Sequence, residues 1–328
     1  MTRPGGFTLI EVLVAITITL GVSAVLVSLT SATLSTWHRA QSAFTTDAEA
    51  RLVLDTLGRD LQAVAFRENG ATWLAVDVIP SPATLANHGW RVSGAIKPST
   101  SESLVLLPPA VGTTPSSLAD ARFGLSGAWL RFLTTNFESK NSSNPGGSLP
   151  IAVSYQIARR PVSGSMSAAN PAAVRYTLFR SAVANDTTLA TGLDVSAAAY
   201  ASGLTAFPGA RSARSLTNPS ASDAIASNVI DFGVWLYART AMGELQRIYP
   251  TTGADLTHAV ISAPDQPVVA DVMIRVLTLE GAKEISLLES GGPVLARPES
   301  LSDAEWWWSV ANAHSRVYLR RIQLRVGT

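Results

Sequence analysis

The chain has 328 residues, a formal net charge of +1, 15% charged and 47% apolar residues, and no cysteine. A balance this neutral excludes the basic stripe of a nucleic-acid surface, and the apolar share excludes an intrinsically disordered chain. Without cysteine there is no disulfide framework, no thiolate catalysis and no Cys-based metal site, so the core alone must hold the fold.

The chain opens with a short basic leader, Met1-Thr2-Arg3-Pro4-Gly5, followed by Gly6-Phe7-Thr8-Leu9-Ile10-Glu11-Val12-Leu13-Val14-Ala15. From Phe7 to Trp37 the one ionisable side chain is Glu11, in a run longer than the ~20 residues a helix needs to cross a bilayer. An acid at that depth costs roughly 2.5–3.5 kcal/mol on insertion scales, which marks Glu11 as a functional residue. A secretory signal peptide carries an apolar region of roughly 7–15 residues before a small-residue cleavage site. Here the run is about twice as long and begins with an acid. A plain signal anchor explains neither Gly6 nor the position of Glu11. Arg3 in the leader predicts a cytoplasmic start, with the bulk of the chain outside the inner membrane.

The succession Gly6, Phe7, Thr8-Leu9-Ile10, Glu11 and an uninterrupted apolar helix resembles the processing site of type IV prepilins and of the pseudopilins of type II secretion systems. The resemblance implies that a prepilin peptidase cuts between Gly6 and Phe7 and methylates the new N-terminus at Phe7. It also implies that Glu11 is an assembly residue, paired with the N-terminal amine of a neighbouring subunit. Physical chemistry supplies the reason: an amine at Phe7 and a carboxylate at Glu11 are both expensive to leave unpaired in apolar surroundings. They can pair along one helix face at i, i+4 or between subunits, and Glu11 can alternatively snorkel to the headgroups. Thr8, Thr17, Thr19, Ser23, Ser28 and Thr30 punctuate the helix. Such hydroxyls either bond across packed helices in lipid or bond back to their own carbonyls.

Beyond the apolar run the periodicity turns amphipathic. Trp37, Ala40, Phe44 and Ala48, then Leu54, Leu57, Leu61 and Val64, recur at three- or four-residue steps and predict one buried stripe. Arg39, Asp47, Glu49, Arg51, Arg59 and Asp60 lie between them as a solvated face, and Asn69-Gly70 reads as the stop. The expected helix, Phe7 to Glu68, is about 90 Å long. Strands are expected at 103–107, 128–134, 151–157, 174–180, 229–239, 268–279 and 316–326. Mobile loops are expected at 108–126, 138–150, 162–173 and 202–227. A short helix is expected over 301–313, with Ser302 and Glu305 at capping-box spacing. The expected fold class is α+β: one long N-terminal helix, half membrane anchor and half spine, packed on an antiparallel β-sheet head with long loops. Its parts are a cleaved leader (1–6), a transmembrane half (7–36), an amphipathic half (37–68) and a periplasmic head (69–328).

Within the pilin family the chain is most similar to the J-type minor pseudopilins. Arg59-Asp60-Leu61 matches their Arg-Asp-Leu pattern. Pro267-Val268-Val269-Ala270-Asp271-Val272, followed by Leu277-Thr278-Leu279-Glu280-Gly281, looks like their late strand. The tail from Trp306-Trp307-Trp308 to Val317-Tyr318-Leu319-Arg320-Arg321-Ile322 resembles prepilin-like cassette proteins of the Verrucomicrobia. Three successive tryptophans cannot share one helix face, so Trp306, Trp307 and Trp308 are candidates for partner contact as well as for core. Arg320-Arg321 reads as a solvated edge feature or as a charge that blunts sheet pairing.

Nothing in the sequence carries catalytic spacing. His38, His88, His258 and His314 are scattered, and no nucleophile elbow, P-loop or dinucleotide fingerprint occurs. Asp223, Asp231, Asp255 and Asp265 lack the D-x-D-x-D-G pattern of a calcium loop. No cofactor, metal site or enzymatic activity is expected. The expected partners are other pseudopilins or pilins through the N-terminal helix, the prepilin peptidase, an inner-membrane assembly platform and lipid, with no nucleic acid. A minor pilin of a surface pilus and a solitary anchored binding module are the alternatives to a minor pseudopilin.

Overall fold

The protein is described by a computed structural model over residues 8–66, 70–78, 128–135, 150–161, 174–201, 203–217, 219–250, 257–261, 266–290, 298–301 and 303–325. It divides at Asp47/Ala48 into two units, which are taken in turn. The first is the N-terminal part of helix α1, Leu9–Gln62. Its residues from Thr8 to Trp37 are exposed throughout, including Leu13, Ile16, Leu20, Val25 and Leu29. This is the one helix among the described residues long and apolar enough to cross a membrane. Isoleucine, valine and threonine are mediocre helix formers in water, so the helix here is one that lipid or neighbouring helices must favour.

The stripe expected to be buried at Trp37, Ala40, Phe44 and Ala48 is instead exposed, with Trp37 at 67% and Phe44 at 74%. In the second unit Leu54, Leu57, Leu61 and Val64 turn inward as expected, and Ala50 and Val53 join them. Both sets satisfy helical periodicity. Period alone does not say which face a sheet covers.

α1 ends at Gln62, six residues before the expected end. The chain does not stop on a glycine; it stops on a strand. β2 (Ala128–Thr134) supplies partners for the free carbonyls of the last turn, which would otherwise be orphaned. Thr134 Oγ1 donates to the Asp60 and Ala63 carbonyls at 2.9 and 3.1 Å. Thr135 N–H donates to Ala63 O, and Ala65 N–H to Leu133 O, both at 2.8 Å.

The head is built on two antiparallel sheets. The other strands are β1 (Leu74–Val78), β3 (Ile151–Pro161), β4 (Val174–Ala182), β5 (Ala224–Ser227), β6 (Val229–Arg239), β7 (Leu245–Tyr249), β8 (Thr257–Val260), β9 (Val269–Leu277) and β10 (Ser315–Gln323). One sheet runs β5-β4-β3-β2-β1-β8 and the other β10-β9-β6-β7. β2 and β6 lie at their expected bounds, while β3 and β4 run past their expected ends. β1, β5, β7 and β8 are four or five residues long, too short for period two to announce them. The expected strand 103–107, the loops at 108–126 and 162–173 and all but Pro150 of 138–150 lie outside the described residues.

Alternation along β3 sorts its residues to two faces. Val153, Tyr155 and Ile157 join Leu57, Leu61 and Phe132 in the core. Ala152, Ser154 and Gln156 are buried on the other face, beneath the segment between β4 and β5. That segment opens with helix α2 (Asn185–Thr191) and a 3-10 turn at Ala198–Ala201. Within 202–227, where a loop is expected, the chain forms 3-10 turns at Ala213–Leu216 and Ala221–Asp223 and then strand β5. Ala152 N–H donates to Thr188 Oγ1 at 3.2 Å and Gln156 Nε2 to Leu216 O at 3.4 Å. Val195, Tyr200, Ala213 and Leu216 add their side chains to the core.

β9 also departs from expectation. Leu277-Thr278-Leu279 continues the alternation, yet the strand stops at Leu277 and helix α3 (Leu279–Ser290) begins. Thr278 makes the switch: its Oγ1 accepts from Gly281 N–H at 3.1 Å, and its own N–H donates to His314 O at 2.9 Å. Gly281 is required there, because a Cβ would sit 2.5 Å from His314 Cβ and 2.8 Å from its carbonyl oxygen. Helix α4 (Asp303–Ala313) falls within the expected 301–313, whereas Ser302 and the Glu305 side chain lie outside the description.

Candidate functional site

Gly6 and Phe7 lie outside the described residues, so the described site begins at Thr8. Thr8 and Glu11 form a reciprocal cap at the start of α1. Thr8 N–H and Oγ1 each donate to Glu11 Oε2 at 2.9 Å, and Glu11 N–H donates to Thr8 Oγ1 at 3.3 Å. This is the capping-box arrangement: two orphaned amides of the first turn are satisfied by side chains three residues apart. The carboxylate also sits at the positive end of the helix dipole, which favours its charge. Glu11 is therefore held in one place, on an exposed helix end, by its own chain.

Along the next turns the hydroxyls bond back to their own helix. Thr17 Oγ1 donates to Leu13 O at 2.6 Å, Thr19 Oγ1 to Ala15 O at 2.8 Å and Thr30 Oγ1 to Leu26 O at 2.8 Å. Of the two expectations for these residues, the local one holds for these three. The helix surface is thereby left apolar, since each hydroxyl's hydrogen is turned inward.

The second polar constellation is in the head, and sequence reading placed it wrongly. Asp60, assigned above to a solvated face, is fully buried. Arg180 Nε donates to Asp60 Oδ2 at 2.7 Å and Arg180 Nη2 to Oδ1 at 3.2 Å. The Tyr155 hydroxyl donates to Oδ2 at 2.5 Å. Burial, and then the negative charge of Asp60, push the Tyr155 phenol well above its usual range, so it stays a donor. The network ties the end of α1 to the centres of β3 and β4. A signal was present in the sequence: Asp60 falls three residues after Leu57 and four before Val64, within the buried phase.

Arg320 and Arg321 also have partners. Arg320 reaches Asp55 of α1 and lies against Gly58, where a Cβ would stand 3.4 Å from its guanidinium carbon. Arg321 holds the Asp271 carboxylate through Nε and Nη2 at 2.8 Å each. They are strand-to-neighbour clamps more than a solvated edge.

Of the three tryptophans named as candidate partner contacts, Trp307 and Trp308 are 2% and 3% exposed and belong to the core. Trp307 packs edge-on against Tyr176 at 6.0 Å between ring centres, and against Trp308 at 4.9 Å. They offer no surface to a partner in this fold. Trp306 is half-buried and keeps the only accessible edge of the three.

The histidines and aspartates stay dispersed. His314 Nε2 meets Glu284 Oε2 at 3.0 Å beside α3, and His258 stacks on Tyr249 at 5.4 Å. Asp223 is buried and engaged by Arg211, Ser220 and Ser181. Asp231 is buried beside Arg275. His88, Asp255, Asp265 and the His38 side chain lie outside the description. Among the described residues no three metal-ligating side chains converge.

Comparison with known proteins gives one match. Residues 1–30 fit the family profile of the prokaryotic N-terminal methylation motif. Neither the curated proteins nor the solved structures contain a match to the chain. The motif, carried on one long apolar helix ahead of two antiparallel sheets, supports a protein of the prepilin and pseudopilin type. The motif points to a structural subunit, and the apolar helix behind it is consistent with membrane anchoring.

Proposed function

We propose that the chain is a minor pseudopilin: a structural subunit, cut between Gly6 and Phe7 and methylated at Phe7, that joins a periplasmic fibre of a type II secretion-like system. The methylation motif at residues 1–30 is the observation that carries this reading. The exposed apolar helix that follows it supplies a surface for lipid before assembly and for neighbouring helices after it. In this reading residues 1–6 are the leader, 7–36 the membrane half of the helix, 37–68 its amphipathic half and 69–328 the head. The leader stays cytoplasmic with Arg3, and the head lies in the periplasm. The size of the head and the Arg59-Asp60-Leu61 pattern favour a minor subunit of J type over a major one.

Chemically the subunit binds and positions; it transforms nothing. Cleavage converts an amide nitrogen before Thr8 into an amine that carries positive charge. Glu11, pre-oriented by Thr8, presents the matching carboxylate. Pairing the two between successive subunits removes both charges from isolation in an apolar environment and sets each new subunit in register.

Photo-crosslinking tests the assembly. A benzoylphenylalanine placed at Val12 or Ile16, on the exposed face beside Glu11, should yield adducts with another pilin-type chain in the membrane. The identity of that chain separates a secretion pseudopilus from a surface pilus. Adducts with lipid alone, in cells that carry the full assembly machinery, would contradict the proposal.

A further inference from the structure

Alternation along β6 sends Val234 and Leu236 into the core, and Trp235, Tyr237 and Arg239 to the opposite face. Across the ladder Tyr237 stands opposite Arg247 of β7, and Arg239 opposite Leu245, so the five residues share that face. The solvent face of an antiparallel sheet ordinarily reads polar. This one holds two half-buried aromatic rings and an exposed leucine, Leu245 at 44%. Arg247 Cζ lies 5.1 Å from the centre of the Trp235 ring, which pins the guanidinium on the surface without neutralising its charge.

The turn between the two strands is a rigid mount. Thr240 N–H donates to Glu244 O and Gly243 N–H to Thr240 O, both at 2.9 Å. Glu244 N–H donates to Thr240 Oγ1 at 3.2 Å, and Arg239 Nη1 to Gly243 O at 3.0 Å. Gly243 takes φ +82°, which closes the loop. Met242 stands at the tip, 91% exposed. Holding the backbone beforehand lowers the entropy cost of docking such a side chain. Tryptophan, tyrosine, methionine and arginine are enriched at protein–protein contacts, while lysine and the acids are depleted. From Trp235 to Tyr249 the chain holds two arginines, no lysine and one acid, Glu244. Neither arginine meets a carboxylate among the described residues. We propose that the β6–β7 hairpin docks an acidic protein partner, whose apolar surface takes Met242 and Leu245 and whose rim carboxylates meet Arg239 and Arg247. A nucleic acid is the poorer fit. Bases need rings to stack on, and Trp235 and Tyr237 already carry the guanidinium groups of Arg247 and Arg321, the latter at 5.4 Å. A second copy is poorer too, since a symmetric contact gathers the same arginines into one interface. The contact belongs to the head and does not depend on Glu11.

The test is photo-crosslinking of the full-length protein in its own cells, with benzoylphenylalanine in place of Ala241, an exposed residue beside the tip. The adduct should be with another protein, on a peptide that carries aspartate or glutamate close to the crosslinked residue. Met242→Ala should lower the adduct yield about tenfold. Arg239→Glu with Arg247→Glu should lower it by at least about tenfold, and lysine in place of the partner's acids should restore it. Arg239→Glu alone changes only an exposed side chain, so it decides the matter if the double variant does not fold. The proposal is overturned if the adduct is with a second copy of this chain, with nucleic acid or with lipid alone. It is equally overturned if the yield is undiminished in Arg239→Glu, or if lysine on the partner restores nothing. No adduct at Ala241, in cells where the probe at Val12 captures a pilin-type chain, overturns it as well. An acidic adduct at Ala241 with none at Val12 upholds this contact and contradicts the helix-mediated assembly instead.

Discussion

Replacing Asp60 with alanine should lower the stability of the head by about 3–5 kcal/mol, the usual cost of removing one partner of a buried ion pair. The size follows from what is left behind. Arg180 would stay buried with its charge uncompensated, and the Tyr155 hydroxyl would lose its acceptor. Asp55→Ala removes a carboxylate that also pairs with an arginine, but this pair is open to solvent on both sides. Its loss should cost at most about 1 kcal/mol. Urea titration of the full chain in detergent, followed by tryptophan fluorescence, compares the two directly. Equal effects would mean that the Asp60 network does not fasten the helix to the sheet. The joint variant Asp60→Leu with Arg180→Met should recover much of the loss, since apolar replacement of a whole buried pair is often neutral.

Glu11→Ala should remove the subunit from the assembled fibre while leaving it in the membrane. A pair of unit charges at ~4 Å is worth about 4 kcal/mol at an effective dielectric constant of 20. That corresponds to roughly a thousandfold in incorporation. Alanine also deletes the cap on Thr8, so a second substitution is needed to separate the two roles. Glutamine can accept from Thr8 and keep the capping box, but it carries no charge. Glu11→Gln should therefore fail as completely as Glu11→Ala when fibre and membrane fractions are compared by immunoblot. Normal incorporation of Glu11→Gln would reduce Glu11 to a helix cap.

Where the sequence was legible, one local signal determined the outcome. Gly6 to Ala15 is a contiguous motif, and β2 and β6 are rich enough in apolar, aromatic and β-branched residues to be placed to the residue. Where it was not, a distant partner decided. The helix stops at Gln62 because Thr134 and Thr135, some seventy residues on, take its carbonyls. Asp60 reads as a surface acid until Arg180 and Tyr155 arrive beside it. Leu277-Thr278-Leu279 looks like continuing strand until the His314 carbonyl captures Thr278 N–H and leaves its side chain free to cap α3. The Trp37 and Phe44 stripe shows the same ambiguity in reverse, with a correct period assigned to the wrong side of the helix.

The central claim, that this is a processed subunit of the prepilin type, is tested most directly at its new N-terminus. Mass spectrometry of the protein from cells with and without prepilin peptidase should find a chain beginning at N-methylated Phe7 in the first and the intact leader from Met1 in the second. Recovery of intact Met1 in both, or of a chain cut near residue 35 as a secretory signal would leave it, would contradict the account.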